Sequence, residues 1–337
     1  MRALGLDVGG ANVKAALVVH SATGNRTAGG WTLPFELFRD RDGLAGLLES
    51  LRWRTKPDGV ALTMTGELCD CYKSRSAGAR WILRQVETAM AGLQTTVFDC
   101  EGDQVSMSRA MRLPLTVASA NWAVTLRWAA ENGLDNGLVV DIGSTTTDIL
   151  PVKNGAPAAR GRDDYSRAGE GELVYTGYLR THASIVAPRI VVRGKEMDSC
   201  PEYFAIAGDA YLVLGDINAR QYTCPTPDGG ARTKAAAARR LCRMALSDLE
   251  SLGMEEAINI ARQVASAHAA KLTRAVDEIV MRETWGMKVD LSLIGPGGFI
   301  LEKAMRRRRE IQLVGRLGGS DTSNIDPAWC AAMLYSG

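Results

Sequence analysis

One pattern occurs twice in this chain and constrains it more than any other. An apolar strand ends in an aspartate, a residue and a glycine, then a small polar turn leads straight into a second strand. LGLDVGGANVKAAL at 4–17 is the first copy and LVVDIGSTTTDILP at 138–151 the second, with Asp7 and Asp141 134 residues apart. A chain of 337 residues suits two ordinary domains or one duplicated domain with an insertion, and the echo speaks for duplication.

The rest of the chain reads as alternating strands and helices. Valine-rich residues 13–20 predict a second strand directly after the first turn. Leu44, Leu47, Leu48 and Leu51 share one helical face over 43–54, a strand returns at 58–63, and 75–93 reads as an amphipathic helix before a short strand at 95–98. A helix over 120–131 is closed by Asn132-Gly133, since glycine readily takes the left-handed conformation that ends helices. Strands follow at 137–142 and 147–153, and 155–172 reads as an exposed loop. Residues 160–235 lack clean periodicity and read as an insertion. Helices are expected over 231–250 and 254–284, a strand over 289–294, a helix over 299–308, and a last helix from 327 to 335.

In Asp7-Val8-Gly9-Gly10-Ala11-Asn12-Val13-Lys14, the glycines let backbone N–H groups approach an anion with no Cβ in the way. Asp7 at the strand end suits a magnesium-bound water, and Lys14 adds a point charge for phosphate. Asp141-Ile142-Gly143-Ser144-Thr145-Thr146-Thr147-Asp148 repeats the arrangement with hydroxyls and amides for phosphate oxygens. A plain tight hairpin has the same local form as either loop alone. A dinucleotide-binding loop does not fit, because it needs a third glycine and a following helix. Gly295-Pro296-Gly297-Gly298, between a strand and a helix, is either a simple turn or a place where an anion or planar ring meets backbone. It is no P-loop, since no G-K-[ST] follows.

Composition excludes several classes. The formal net charge of +2 points to neither nucleic acid nor a membrane surface, and the dense basic run Arg306–Arg309 reads as a solvated helix end. The seven cysteines, at 69, 71, 100, 200, 224, 242 and 330, include no C-x-x-C pair and sit beside only His20, His182 and His268, which predicts free thiols in a reducing compartment. No stretch approaches the ~18 apolar residues of a membrane span, and MRALGLDVGG is a strand and turn rather than a signal peptide, so the expected location is cytoplasmic.

The order of these elements resembles the actin/sugar-kinase/heat-shock (ASKHA) superfamily, whose corresponding motifs are named phosphate 1, phosphate 2 and adenosine. Within it the chain is similar to the hydantoinase/oxoprolinase-related proteins linked to tetrahydromethanopterin C1 transfer. The stretches that carry this are Thr63–Asp70 (TMTGELCD), Ala118–Trp122 (ASANW), Gly171–Gly177 (GELVYTG), Gly215–Ile217 (GDI) and Tyr222–Thr226 (YTCPT). The resemblance implies an α/β, duplicated, ribonuclease H-like fold with two lobes around a central cleft. The N-terminal lobe would span 1–115, completed by a C-terminal helix at 326–337. The second would span 116–325, with the insertion at about 160–235.

The activity it implies is an alkyl transferase of methanofuran-type cofactor biosynthesis. An aminomethylfuran-methyl diphosphate and the phenol of a tyramine- or tyrosine-glutamate acceptor would give an aryl ether and pyrophosphate. Asp7 and Asp141 would position Mg2+. Gly9, Gly10, Asn12, Lys14, Gly143, Ser144, Thr145, Thr146 and Thr147 would hold the diphosphate, and Gly297 and Gly298 would complete the adenosine motif. A phenol with a pKa near 10 benefits from a base, for which Glu67 comes first and Glu172 second. Asn121 and Asp216 are further candidate binding residues. Trp122 and Tyr175 either stack on aromatic substrates or pack in the core. An ATP-dependent small-molecule kinase or ATPase is the competing enzyme class, and a non-catalytic nucleotide sensor a third reading. A homodimer is the expected assembly.

Overall fold

The structure is a computed structural model that describes residues 1–285 and 288–336. Its elements begin with β1 (Arg2–Val8), β2 (Asn12–Ser21), β3 (Gly24–Pro34), α1 (Leu44–Thr55), β4 (Gly59–Met64), α2 (Arg75–Ala89), β5 (Gln94–Phe98), β6 (Gln104–Ser106), α3 (Met107–Arg112) and α4 (Asn121–Glu131). The middle of the chain carries β7 (Gly137–Ile142), β8 (Thr147–Lys153), β9 (Ala156–Pro157), α5 (Asp164–Gly169), β10 (Leu173–Val174), α6 (Ala183–Val186), β11 (Arg189–Val192), β12 (Lys195–Asp198) and α7 (Ala207–Leu214). The remainder is α8 (Lys234–Arg243), α9 (Leu249–Glu283), β13 (Val289–Ile294), α10 (Phe299–Met305), β14 (Ile311–Leu313), β15 (Arg316–Leu317), β16 (Ser320–Asp321) and α11 (Pro327–Leu334). They fall into two compact units. The first comprises Met1–Asp135, Val152–Gly169 and the chain from Leu317 onward; the second comprises Asn136–Pro151 and Glu170–Arg316.

The first unit is built on a six-stranded sheet in the order β3-β2-β1-β4-β5-β6. β1 pairs antiparallel with β2 and parallel with β4, and β4 parallel with β5. β1 beyond Arg2 and all of β4 are buried, which explains their unbroken apolar runs. α2 starts where the Ser74 hydroxyl accepts from Ala77 N at 3.2 Å, and it buries Ile82, Leu83 and Val86 in a core shared with Leu44, Leu48 and Leu51 of α1. α11 lies on β1 so closely that a Cβ on Gly5 would stand 1.8 Å from the Ala328 carbonyl oxygen. The second unit has the order β10-β8-β7-β13-β14, with β13 parallel to both β7 and β14. Its core draws on α7, α8 and α9. α9 is broken at Gly253 (φ 82°, ψ 165°), but the helix expected over 231–250 ends at Arg243 and α9 already begins at Leu249.

Several expectations need correction. The boundary at 115/116 is not where packing divides the chain, because α4 belongs to the first unit: the Trp128 ring meets Trp329 of α11 edge-on at 4.8 Å. The insertion at 160–235 is not one body, since residues through Gly169 go with the first unit and those from Glu170 with the second. The 155–172 loop contains β9 and α5. The expected terminal helix ends at Leu334, and Gly337 lies outside the described residues. β3 had no apolar alternation to reveal it, because most of its residues are exposed and pairing with β2 holds it in place. The aperiodic segment adds residues such as Leu179, Ile206 and Leu212 to the apolar core and is also tied by a buried polar cluster. Asp209 accepts from Arg240 Nε and Nη2 at 2.9 and 2.7 Å, from the Tyr222 hydroxyl at 3.1 Å and from Ile206 N at 3.1 Å.

Candidate functional site

In the first unit, β1 delivers Asp7 to the start of the Gly9-Gly10 turn, where only 5% of it is exposed. Antiparallel register sets Asp7 opposite Lys14 on β2, and parallel register sets it opposite Thr63 on β4. The turn closes with Gly9 N donating to Asn12 O at 3.0 Å. The Gly10 and Ala11 carbonyls accept from Leu37 N (2.9 Å) and Phe35 N (3.2 Å), so the turn's acceptors are engaged by protein. A Cβ on Gly10 would lie 2.8 Å from Cys69 Sγ, so any side chain there would have to displace that thiol. Asn12 and Lys14 are half-buried.

The second unit repeats this backbone. Gly143 N donates to Thr146 O at 2.9 Å, the counterpart of the Gly9–Asn12 bond. The Gly143 carbonyl accepts from Tyr178 N at 3.0 Å, and the Ser144 carbonyl from Arg180 N at 2.9 Å. With its carbonyls occupied in this way, the turn has the backbone form of an anion nest. Gly177, from the Gly171–Gly177 stretch, supports it from behind: a Cβ there would sit 2.4–2.5 Å from Gly143 O, Ser144 C and Thr145 N. Gly297 N donates to Ile142 O at 3.0 Å, and a Cβ on Gly295 (φ 73°) would lie 2.3 Å from Asp141 Oδ1. Asp141, Gly143–Thr146 and the Gly295–Gly298 turn are therefore brought together. Gly298 caps α10 with its backbone alone. Thr147 departs from expectation. It is fully buried and its hydroxyl donates to Thr176 O at 2.8 Å, so it braces the loop instead of facing a ligand.

Beneath this loop is a group that the sequence reading missed. His268 of α9 is fully buried, with Nε2 2.9 Å from the Thr176 hydroxyl and Nδ1 2.9 Å from the Tyr211 hydroxyl. Burial pushes its pKa down to about 4, helped by Lys271. At neutral pH it is an uncharged imidazole linking α9 and α7 to the strand-end segment that backs the turn.

The acid–base candidates part company in the structure. Glu67 is fully buried and is no solvated surface carboxylate. Ser119 Oγ lies 2.5 Å from Glu67 Oε1 and 3.1 Å from Asp164 Oδ2, and Arg75 Nε stands 3.8 Å from Glu67 Oε1. Arg75 is turned mainly to Asp163, at 3.1 Å. Burial drives the Glu67 pKa upward against the opposing Ser119 hydrogen bond. Glu172 is equally buried, but its Oε1 accepts from Arg282 Nη2 at 2.8 Å, a charge pair that suits bracing better than proton transfer. Asp216 is exposed beyond Gly215 (φ 86°), the left-handed end of α7. Asn121 spends its Oδ1 on Trp122 N at 2.8 Å. Trp122 is a core residue, with the buried Arg167 guanidinium 4.4 Å from its ring centroid, whereas Tyr175 is 73% exposed and accessible to a ring. Ser119, Asp164 and Arg75 went unassigned, although Ser119 lies within the A-S-A-N-W stretch.

The described residues include no group of three or more His, Cys, Asp or Glu side chains able to hold a metal ion. Magnesium fits such a chain through different donors: it takes one or two carboxylates and completes its shell with water and phosphate oxygens. Asp7 and Asp141, each at a strand end beside an anion-nest turn in its own unit, are of that type. No described helix is long and apolar enough to cross a membrane.

Comparison with known proteins agrees with this architecture. The chain is 33% identical over 337 residues to the (4-{4-[2-(gamma-L-glutamylamino)ethyl]phenoxymethyl}furan-2-yl)methanamine synthase of Methanocaldococcus jannaschii, covering 98% of this chain and 96% of that one. A protein of the same name from Methanococcus vannielii is 32% identical over 212 residues, 61% of this chain and 94% of its own. These relatives are synthases, which indicates an enzyme. Among solved structures, a nucleotide-free acetone carboxylase superposes with a TM-score of 0.58 at 10% identity, covering 98% of this chain and 70% of that one. The fold is the duplicated α/β fold of the ASKHA class. The hydantoinase/oxoprolinase profile matches residues 58–314. With that match and 33% identity along nearly the whole length of the Methanocaldococcus jannaschii synthase, this chain belongs to the hydantoinase/oxoprolinase family.

Proposed function

We propose that this enzyme forms an aryl ether in the biosynthesis of a methanofuran-type cofactor linked to tetrahydromethanopterin C1 metabolism. It would transfer an aminomethylfuran-methyl group from its diphosphate to the phenol of a tyramine- or tyrosine-glutamate acceptor. The observation that carries this reading is the near-complete alignment with a synthase whose product name contains a phenoxymethyl link to a furan and a methanamine arm. Such a link is an aryl ether to a furan-bound methylene carbon.

The chemistry asks little covalent work of the protein. The methylene C–O bond to diphosphate breaks and its electron pair leaves with pyrophosphate. The phenol oxygen bonds to that carbon, and the phenolic proton passes to protein. A furan ring stabilises positive charge on the methylene, so holding the departing pyrophosphate is the main task. We assign Asp7, Asn12, Lys14, Asp141, Ser144, Thr145 and Thr146 to the diphosphate and magnesium. Magnesium, when bound, neutralises charge on the leaving group. Glu67 is assigned to the phenolic proton and the exposed Tyr175 to ring contact.

The test is pyrophosphate release from an aminomethylfuran-methyl diphosphate with magnesium, a tyramine- or tyrosine-containing phenol and no ATP. Release should require the phenol and fall on the order of a hundred-fold or more in Asp7→Ala and in Asp141→Ala. ADP formation from ATP without any phenol-dependent release would replace this reading with a kinase or ATPase.

A further inference from the structure

Glu67, Ser119 and Asp164 pose a proton-counting problem that their geometry resolves. The Ser119 hydroxyl has one hydrogen, yet its oxygen is within hydrogen-bond distance of a carboxylate on each side, Glu67 Oε1 at 2.5 Å and Asp164 Oδ2 at 3.1 Å. With both carboxylates ionised, one of the two contacts would set oxygen lone pairs against each other. A second proton within the triad would give each contact its own hydrogen, where a single hydroxyl hydrogen would have to be shared between two negative charges. Glu67 is the residue to hold it. Glu67 is fully buried while Asp164 is half-exposed, and its other oxygen, Oε2, has no hydrogen-bond partner among the described residues. An ionised carboxylate with one oxygen unsatisfied in the interior costs far more than a neutral acid with the same defect. Ser119 is itself held in an unusual backbone conformation (φ 52°) and is 1% exposed, so its hydroxyl is fixed between its two neighbours.

We propose that Glu67, Ser119 and Asp164 form a proton relay in which Asp164 is the terminal acceptor. The resting state is Glu67 as carboxylic acid donating to Ser119 Oγ, with the Ser119 hydroxyl donating to Asp164. A proton arriving at Glu67 Oε2 releases the one on Oε1 to Ser119, and the Ser119 proton passes to Asp164. Glu67 and Ser119 each gain and lose one proton, and Asp164 gains one. The incoming proton is that of the phenol, which is where the relay rests on the proposed function. Ser119 and Asp164 are thus positioning residues that act through Glu67. The other titratable groups around Glu67 are Arg75, whose positive charge opposes protonation, and the thiols of Cys69 and Cys100, which burial holds neutral. Arg75 is drawn away by Asp163 at 3.1 Å, which leaves the relay proton in place.

The relay predicts opposite shifts from two substitutions. Ser119→Ala removes the hydroxyl that turns to donate to Glu67 when Glu67 ionises, so the Glu67 titration moves up. Asp164→Asn removes a negative charge that disfavours ionisation, so it moves down. The measurement is carboxyl-carbon NMR of the full chain labelled at glutamate, with the Glu67 resonance assigned by Glu67→Gln and each variant's fold checked by thermal unfolding. A Glu67 carboxyl protonated at neutral pH, with the two variants shifting it in opposite directions, supports the relay. A Glu67 ionised at neutral pH, or shifts of the same sign, overturns it. Turnover tests the reading beneath it. Both variants should lower kcat on the order of a hundred-fold with KM little changed. The predicted NMR shifts with undiminished kcat would retain the shared proton and remove Glu67 from the phenol's chemistry.

Discussion

At the scale of single residues, His268 makes the clearest demand on pH. Its folded pKa is pushed down to about 4, while the unfolded chain has the ordinary histidine value of 6.5. Between those values the unfolded state binds the proton and the folded state does not, so stability is full above about pH 6.5 and is lost as pH falls toward 4. The gap corresponds to about 3 kcal/mol. Urea unfolding at a series of pH values should show this loss in the wild type and a flatter profile in His268→Gln. Equal slopes would assign the acid sensitivity to other groups. His268 also shows what the sequence withheld. Its partner Thr176 is 92 residues away, and Ser119 is 52 residues from Glu67 and 45 from Asp164. Single histidines and serines carry no periodicity, and only tertiary contact gives them partners. The strand-end placement of Asp7 and Asp141 was legible because glycines mark the turns that follow them, whereas nothing in the sequence showed Glu67 to be buried. Thr147 was misassigned because a hydroxyl at the first position of β8 looks the same in sequence whether it faces a ligand or Thr176.

Elements were legible where one physical pattern dominated. The buried strands β1, β4 and β7 announce themselves as apolar runs, and α2 by its amphipathic stripe. β3 and the segment from Glu170 to α7 were not, because an exposed edge strand and elements as short as β10, α6, β11 and β12 carry little periodic signal. The closest approach between elements yields a sharp prediction. α11 comes so near β1 that Gly5→Ala would drive its methyl group to 1.8 Å from Ala328 O and 2.7 Å from Ala332 N, both backbone atoms unable to rotate aside. The helix must lift from the sheet that carries Asp7. A loss of about 3 kcal/mol in denaturant unfolding is expected. A loss under about 1 kcal/mol would mean that α11 shifts freely and does not fix the strand.

For the whole molecule, duplication is the governing fact, and it sits deeper than sequence identity. The two turns share few residues beyond Asp-x-Gly, yet in both the motif glycine donates to the carbonyl three positions on, at 3.0 and 2.9 Å. Conserved backbone geometry of this sort selects for an anion more than for any particular substrate, which is why the loops alone fit a diphosphate transferase and a nucleotide enzyme equally. Ligand-linked stability separates the two. A ligand that binds only the folded chain raises stability by about 2.7 kcal/mol at a hundred times its Kd. Magnesium pyrophosphate should therefore raise the unfolding temperature, and Asp7→Asn and Asp141→Asn should each diminish the rise, since each unit carries one nest. Adding adenosine to the ligand should contribute nothing, so magnesium ATP at equal concentration should stabilise no more than pyrophosphate does. A much larger rise with ATP, reduced by bulky substitution at Gly297, would instead assign the Gly295–Gly298 turn to a nucleotide and the enzyme to the phosphoryl-transfer branch of its fold.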